Sequence, residues 1–248
     1  MTQETLVLSE PIIVAPIGRA GVGKSTFVAA LAERFQQLAR LSIVSPSSAK
    51  LSVPRYAFTS WRRSFDAMMH VRHDISPNMH NGLRDYVRFF QKLVITERVI
   101  RQEQAGRNDV VVIDEFGVFH TALWAALRAS ETSTLTLESL FNCDWFKQNI
   151  PDVLILCDLD EKTTLERRRS RSNRSDNRFL QSGEYRARVD SNYKVFRSQI
   201  TRLLDSMDNS EGMVCLTLDM NNPVDDNVQL AKEIICERLS LEKMHSLT

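Results

Sequence analysis

The chain has 248 residues, of which 43% are hydrophobic and 25% charged, a composition typical of globular proteins. Its 32 basic and 31 acidic residues nearly cancel, so the overall charge argues against a nucleic-acid partner. No apolar run approaches the ~20 residues of a membrane helix, and the N-terminus lacks the basic start of a secretory signal, which excludes the membrane and secreted classes from our expectations.

The predicted elements alternate between short apolar strands and longer helices. The first strand is "IIVAPI" (12–17), and a helix over 25–39 follows it after a glycine-rich loop. A second strand is predicted at 40–45 and a long helix at 82–104. Residues 46–81 have the least regular pattern, and we expect them to form an elaboration over the edge of the sheet where ligands bind in such folds.

The third predicted strand, "DVVVIDEF" (109–116), is almost continuously apolar, as in strands that are buried on both faces. The segments "HTALWAALRAS" and "LTLESLFNCDWFKQN" are predicted helices. The remaining predicted elements are a strand at 152–159, a helix at 184–207, a strand at 213–219 and a helix at 228–239. This alternation predicts a single α/β domain, residues 1–248, with a mostly parallel sheet between layers of helices.

The cysteines are scattered and show no spacing typical of a metal site. Two of them fall within apolar strand patterns. We therefore predict buried, reduced thiols in a cytoplasmic protein, rather than disulfides or a zinc site. The four are Cys143, Cys157, Cys215 and Cys236.

The loop between the first strand and its helix matches a phosphate-binding pattern, Gly18-x-x-x-x-Gly23-Lys24-Ser25. Glycines let a polyphosphate approach backbone N–H groups, and the following helix directs its positive dipole end toward the phosphates. Lys24 adds a charge at the terminal phosphates, and Ser25 adds a hydroxyl for Mg²⁺. The predicted nucleotide-binding residues are Gly18, Arg19, Ala20, Gly21, Val22, Gly23, Lys24, Ser25 and Thr26.

A site of this kind needs an acid at the end of a neighbouring buried strand, and "VVVIDEF" supplies Asp114 with Glu115 beside it. We predict that Asp114 and Ser25 hold Mg²⁺. The ligand implied by the loop and this acid together is magnesium-bound ATP.

Residues 158–179 contain an arginine-rich segment, "DLDEKTTLERRRSRSNRSDNRF". Dense like charges are stable only when solvated or facing an anion, so the segment is either a basic surface or a lid (160–183) that closes over a triphosphate. Its place after a buried strand, downstream of the phosphate loop, favours the lid. Arg167, Arg171, Arg174 and Arg178 follow helical spacing and could share one face.

The stretch "PDVLILCDLDEKTTLERRRSRSNRSDNRF", followed by "EYRARVDSNYKVF", resembles the corresponding part of thymidylate kinases and related nucleoside and nucleotide kinases. The resemblance extends in order over most of the chain. It implies a three-layer P-loop NTPase sandwich with a five-stranded sheet, ATP and Mg²⁺ as cofactors, and an arginine lid. In that lid Arg167 and Arg171 would be catalytic, and Arg169 and Arg174 would bind the nucleotide. Because members of the family are often dimers, it also implies a possible homodimer.

The sequence departs from thymidylate kinases at the acid strand, where Asp114-Glu115 stands in place of Asp-Arg. A carboxylate there would repel an acceptor phosphate, whereas it could serve as a general base for a hydroxyl acceptor, as the equivalent glutamate of deoxynucleoside kinases does. Arg84 and Arg88 could still clamp a phosphate, and Phe89 could stack on a base.

Three functions remain open on the sequence alone. The first is phosphoryl transfer to a nucleoside- or nucleotide-like small molecule, with Lys24, Asp114 and Glu115 as catalytic residues. The second is a P-loop ATPase in which Glu115 polarises water, although a water-excluding lid opposes this. The third is a kinase acting on a modified base or on nucleic acid, which the near-zero net charge disfavours.

Overall fold

The structure is a computed structural model that describes residues 10–35, 40–44, 65, 69, 83–104, 108–114, 116, 119, 123, 148–170, 182–206 and 212–245. Five strands and five long helices lie in these ranges. The strands are β1 (Ile12–Ile17), β2 (Leu41–Val44), β3 (Val110–Ile113), β4 (Val153–Asp158) and β5 (Val214–Asp219). The helices are α1 (Lys24–Phe35), α2 (Leu83–Gln104), α3 (Glu161–Arg169), α4 (Gly183–Ser206) and α5 (Val224–His245).

The five strands form one sheet in the order β2-β3-β1-β4-β5, and all four pairings are parallel. β1 is central, with Ile12 paired to Val110 on one side and Val14 paired to Val153 on the other. Such strands are shielded from water on both faces, which explains why β1, β3 and most of β4 read as continuous apolar runs. The predicted α/β class and five-stranded parallel sheet are confirmed.

One face of the sheet is covered by α1 and α5. The buried stripe of α1 repeats every four residues, at Phe27, Leu31 and Phe35, and packs with α5 residues such as Ala231 and Ile235. Burial of each large apolar side chain contributes about 1.5–3 kcal/mol, so this layer holds the beginning of α1 firmly against β1.

The opposite face is covered by α4. Successive strand residues point to opposite faces, so Asp158, which follows the core residue Cys157, faces away from α1 and α5. Its carboxylate pairs with Arg197 of α4, whose stripe Val189, Phe196 and Ile200 is buried. Helices thus cover both faces, as in a three-layer sandwich.

Helix α2 runs antiparallel to the strands. Its last residue, Gln104, donates a hydrogen bond to Glu10, which precedes β1, so the helix ends at the amino edge of the sheet. Its first turns therefore lie toward the carboxyl edge, where the glycine loop also lies. The predicted acceptor residues Arg84, Arg88 and Phe89 belong to these first turns.

The predicted boundaries hold to within a few residues, except at α5, which begins four residues earlier than predicted and continues to His245. Pro223 starts it, since its carbonyl accepts the hydrogen bond of Asn227 N–H, and Asp225 and Asp226 in the first turn complement the helix dipole. The helices predicted within 120–149 and the elaboration at 46–81 lie almost wholly outside the described residues.

Candidate nucleotide site

The glycine loop leaves β1 at Ile17 and enters α1 at Lys24. Gly21 and Gly23 have positive φ angles of 90° and 100°, which L side chains rarely adopt. Gly18 is required for a different reason, because a Cβ there would stand 2.8 Å from the carbonyl oxygen of Cys157. Each glycine of the motif therefore has a steric cause in this fold.

The beginning of α1 is suited to an anion. Its first turn contains no acidic residue, and Ser25 and Thr26 are exposed there. Unpaired N–H groups and the positive end of the helix dipole favour negative charge at such a position. The loop and helix together therefore have a geometry that suits a phosphate, and phosphate binding by these residues stays a prediction.

Lys24 and Asp114 meet at the mouth of the loop. The Lys24 Nζ atom lies 2.5 Å from Asp114 Oδ1, and their side chains are 14% and 24% exposed. Asp114 is positioned by its backbone, whose N–H donates to the Val44 carbonyl at the end of β2. An ammonium and a carboxylate thus stand together, in partial contact with solvent, where a magnesium-bound phosphate would enter.

The oxygen donors at this point suit Mg²⁺, which prefers one or two carboxylates plus phosphate oxygens and water. Ser25 and Asp114 are the candidate ligands. Among the described residues no group of three or more His, Cys, Asp or Glu side chains could hold a metal by itself. A donor set of one carboxylate and one hydroxyl would fit an ion whose remaining ligands are phosphate oxygens and water.

The other side of the loop is held by the side chain of Arg19, which is buried. Its guanidinium pairs with Asp190 of α4, donates a hydrogen bond of 2.8 Å to the Leu159 carbonyl, and lies 4.8 Å from the centre of the Tyr193 ring. Desolvation raises the pKa of Asp190 above its usual range, the carboxylate of Glu161 acts in the same direction, and Arg19 opposes them.

Helix α3 carries the first part of the arginine-rich segment and packs against the loop. The Arg167 guanidinium donates to the carbonyls of Val22, at 2.9 Å, and Met220, at 3.0 Å. Arg168 is buried, and its Cγ atom would lie 2.7 Å from a Cβ on Gly21, whereas Arg169, the last residue of the helix, is exposed. Arg167 and Arg168 therefore lie against the loop itself.

Cys157 lies beneath the loop, fully buried. Its carbonyl oxygen accepts a hydrogen bond from Tyr193 at 3.4 Å. Burial raises the pKa of its thiol to about 12, so the thiol stays protonated at neutral pH and is no nucleophile. Cys157 is buried, as predicted, whereas Cys215 and Cys236 are only half-buried, and Cys143 lies outside the described residues.

A cavity of about 450 Å³ opens beside Arg19, at the carboxyl ends of β4 and β5. Its wall includes Asp158, Asp190, Tyr193 and Arg197. The sequence did not identify these four residues as neighbours of the glycine loop. The helical stripe of α4 was visible in the sequence, but nothing local marks Asp190 as the partner of a residue in the glycine loop.

Several predicted site residues are not tested by these contacts. Glu115, Arg171 and Arg174 lie outside the described residues, and so do the side chains of the three acceptor candidates on α2. Their roles remain predictions. What the structure brings together is the glycine loop, Lys24, Ser25 and Asp114 on one side, and Arg19 and Arg167 on the other.

No protein-family model matches the chain, and neither does any curated protein. Among solved structures, it is similar to a thymidylate kinase from Candida albicans, with 13% identity, a TM-score of 0.50, and coverage of 93% of this chain and 94% of that one. It also matches a deoxyadenosine kinase from M. mycoides with bound dATP, with 18% identity, a TM-score of 0.48, and coverage of 90% and 99%.

The likeness to the thymidylate kinase shows a shared fold, so the predicted resemblance to nucleoside and nucleotide kinases is confirmed at that level. None of the helices in the described part of the chain is long and apolar enough to cross a membrane.

Proposed function

We propose that the protein transfers the terminal phosphoryl group of ATP to a nucleoside- or nucleotide-like small molecule. The observation that carries the proposal is the contact of Lys24 with Asp114 at the mouth of the glycine loop, beside a helix start without acidic residues. This arrangement offers a cation for the phosphates and a carboxylate for the accompanying Mg²⁺. The shared fold with a thymidylate kinase supports this reading over other uses of a phosphate site.

In this proposal the backbone N–H groups of the loop and Lys24 bind the β- and γ-phosphates. Ser25 and Asp114 would hold Mg²⁺, whose charge would be supplied to the phosphate oxygens. Moving Lys24 from Asp114 to the phosphates when the nucleotide enters leaves the carboxylate available to the metal. Both side chains are partly exposed, so the exchange requires no opening of the core.

We assign Glu115 as the general base for a hydroxyl acceptor. The acceptor oxygen would attack the γ-phosphorus, its proton would pass to the Glu115 carboxylate, and the bond from phosphorus to the β,γ-bridging oxygen would break to release ADP. Arg84, Arg88 and Phe89 are the proposed acceptor contacts, because the first turns of α2 lie toward the same edge of the sheet.

The proposed lid arginines divide by position. Arg169, Arg171 and Arg174 are proposed to reach the triphosphate from the end of α3 and the segment after it. A direct phosphate contact of Arg167 stays a prediction, and its two bonds to backbone carbonyls support an additional role in holding the loop. Guanidinium groups at this position would stabilise charge in the transition state and exclude water.

The test is a transfer assay with ATP labelled at the γ-phosphate and a panel of nucleosides, nucleoside monophosphates and sugars. Lys24→Ala should lower label transfer at least about a hundredfold while the circular dichroism spectrum is unchanged. An ATPase rate without acceptor that equals the best rate with any acceptor would instead identify a hydrolase.

The same assay identifies the acceptor group. Glu115→Gln should lower turnover by about 10²–10⁴-fold if the acceptor is a hydroxyl, because a general base contributes that much. A loss of less than about tenfold would remove Glu115 as base and favour a phosphate acceptor, which is already ionised and needs none.

A further inference from the structure

The side chain of Arg19 leaves the glycine loop on the side away from Lys24. Its three described partners are Asp190 and Tyr193 of α4 and the carbonyl of Leu159, which follows β4. Lys24, five residues along, contacts Asp114 after β3 instead. The loop is therefore held between two different parts of the sheet edge.

We propose that Arg19 is a positioning residue that fixes the phosphate loop against α4, with Asp190 as its counter-charge. The inference rests on the proposed function, since the loop is taken to bind a triphosphate. Arg19 acts through the loop backbone and does not touch the reacting atoms.

The loop needs such support because of its composition. Gly18, Gly21 and Gly23 have no side chains that could fix the loop backbone by packing, and Gly21 and Gly23 have positive φ angles. A planar guanidinium can satisfy a carboxylate, a carbonyl and an aromatic face at once, which a lysine ammonium cannot. Arg19 thus converts a flexible segment into one fixed relative to α4.

A second guanidinium, that of Arg167 on α3, binds the loop from a neighbouring helix. Arg167 donates to the Val22 carbonyl, while Arg19 donates to groups beyond the loop. Guanidinium groups only donate hydrogen bonds, so neither arginine competes for an N–H group that a phosphate needs. The two arginines can therefore fix the loop while leaving its donors for the nucleotide.

The buried ion pair is a poor device for stability alone. The side chain of Arg19 is 5% exposed and that of Asp190 is 6% exposed. Desolvation raises the pKa of Asp190 by more than the attraction of Arg19 lowers it. An apolar pair of similar volume often gives equal or greater stability at such a position. What an apolar pair does not supply is a directional link from the loop to α4.

The experiment compares MgATP affinity with thermal stability, measured by calorimetric titration and by thermal unfolding. The variants are Arg19→Met, Arg19→Lys and the double variant Arg19→Met/Asp190→Asn. Arg19→Met should weaken MgATP binding by about tenfold to a hundredfold, because small displacements of binding groups have effects of that size. Arg19→Lys should recover only part of the affinity, since an ammonium replaces one of the three contacts at most.

The double variant separates positioning from stability. It leaves no unpaired buried charge, so its melting temperature should return toward that of the wild type. Its MgATP affinity should nevertheless stay about tenfold or more below the wild type, because nothing then links the loop to α4. The matched control is Arg40→Gln, which breaks the partly exposed pair with Asp109 at the amino ends of β2 and β3 and should change affinity by less than about twofold.

Recovery of both affinity and melting temperature in the double variant would overturn the inference, and the double variant stays informative even if Arg19→Met does not fold. Absence of MgATP binding by the folded wild type would instead overturn the proposed function. Binding measurements distinguish these failures without requiring knowledge of the acceptor.

Discussion

Two ion pairs flank the same glycine loop, and they differ in burial. Lys24 and Asp114, on the β3 side, are 14% and 24% exposed, whereas Arg19 and Asp190, on the α4 side, are 5% and 6% exposed. The first pair can exchange its partner for a phosphate and a metal at little cost because water reaches it. The second cannot, because separating it would leave charges in a low-dielectric environment.

The difference teaches how one loop can be both rigid and reactive. Under the proposed function, the groups that must change partners lie where solvent can replace a lost contact. The groups that must stay in place lie where no replacement exists. Arg167 also holds the loop, through two backbone carbonyls, but it is only half-buried.

The largest expected effect on stability comes from breaking the buried pair. Asp190→Ala leaves Arg19 charged and buried, and should lower the free energy of unfolding by about 3–5 kcal/mol. Asp114→Ala should lower it by about 1 kcal/mol or less, because water can solvate Lys24. Urea unfolding at neutral pH measures both. Equal losses in the two variants would contradict the distinction between the pairs.

A smaller effect is expected from the loop backbone between the pairs. Gly21→Ala places a Cβ at a φ of 90° and 2.7 Å from the Cγ atom of Arg168, so it should lower the free energy of unfolding by about 1–3 kcal/mol. The matched control is Ala20→Ser at the exposed residue before Gly21, which should change the free energy of unfolding by less than about 0.5 kcal/mol. Thermal or urea unfolding of the two variants gives the comparison, and similar values would show that the loop tolerates a side chain at Gly21.

The smallest effect on the free energy of unfolding is expected from a third ion pair, between Arg197 of α4 and Asp158 of β4. Arg197 is 47% exposed and Asp158 is 21% exposed, so Arg197→Gln should change the free energy of unfolding by less than about 1 kcal/mol. The same urea experiment serves here. A loss as large as that of Asp190→Ala would mean that burial is not what separates the anchoring pair from the others.

Much of the fold could be predicted from the sequence because its signals are local. β1, β3 and β4 are apolar runs of strand length, and the glycine loop has a spacing that specifies both the turn and the helix after it. Lys24 and Asp114 lie 90 residues apart, yet both were predicted as residues of one site, because each belongs to a recognisable local pattern; their direct contact was not predicted.

The pairing of Arg19 with Asp190 could not be predicted in the same way. The two residues lie 171 positions apart, and Asp190 is one carboxylate among several on an otherwise ordinary amphipathic helix. The arginine-rich segment was interpreted as a basic surface or, by preference, as a lid, because charge density indicates solvent or an anion and not a backbone carbonyl. The contacts of Arg167 depend on how α3 packs against the loop, which no residue pattern specifies.

The position of β1 in the sheet has a consequence for how the protein folds. This first strand is hydrogen-bonded only to strands that begin at Val110 and Val153, so its neighbours are synthesised long after it. During translation one edge of this apolar segment must wait, unpaired, until the strand that begins at Val110 has left the ribosome, and the other edge until the strand that begins at Val153 has done so. Sheets of such high contact order form slowly, and the nascent chain is correspondingly exposed to aggregation and to capture by chaperones.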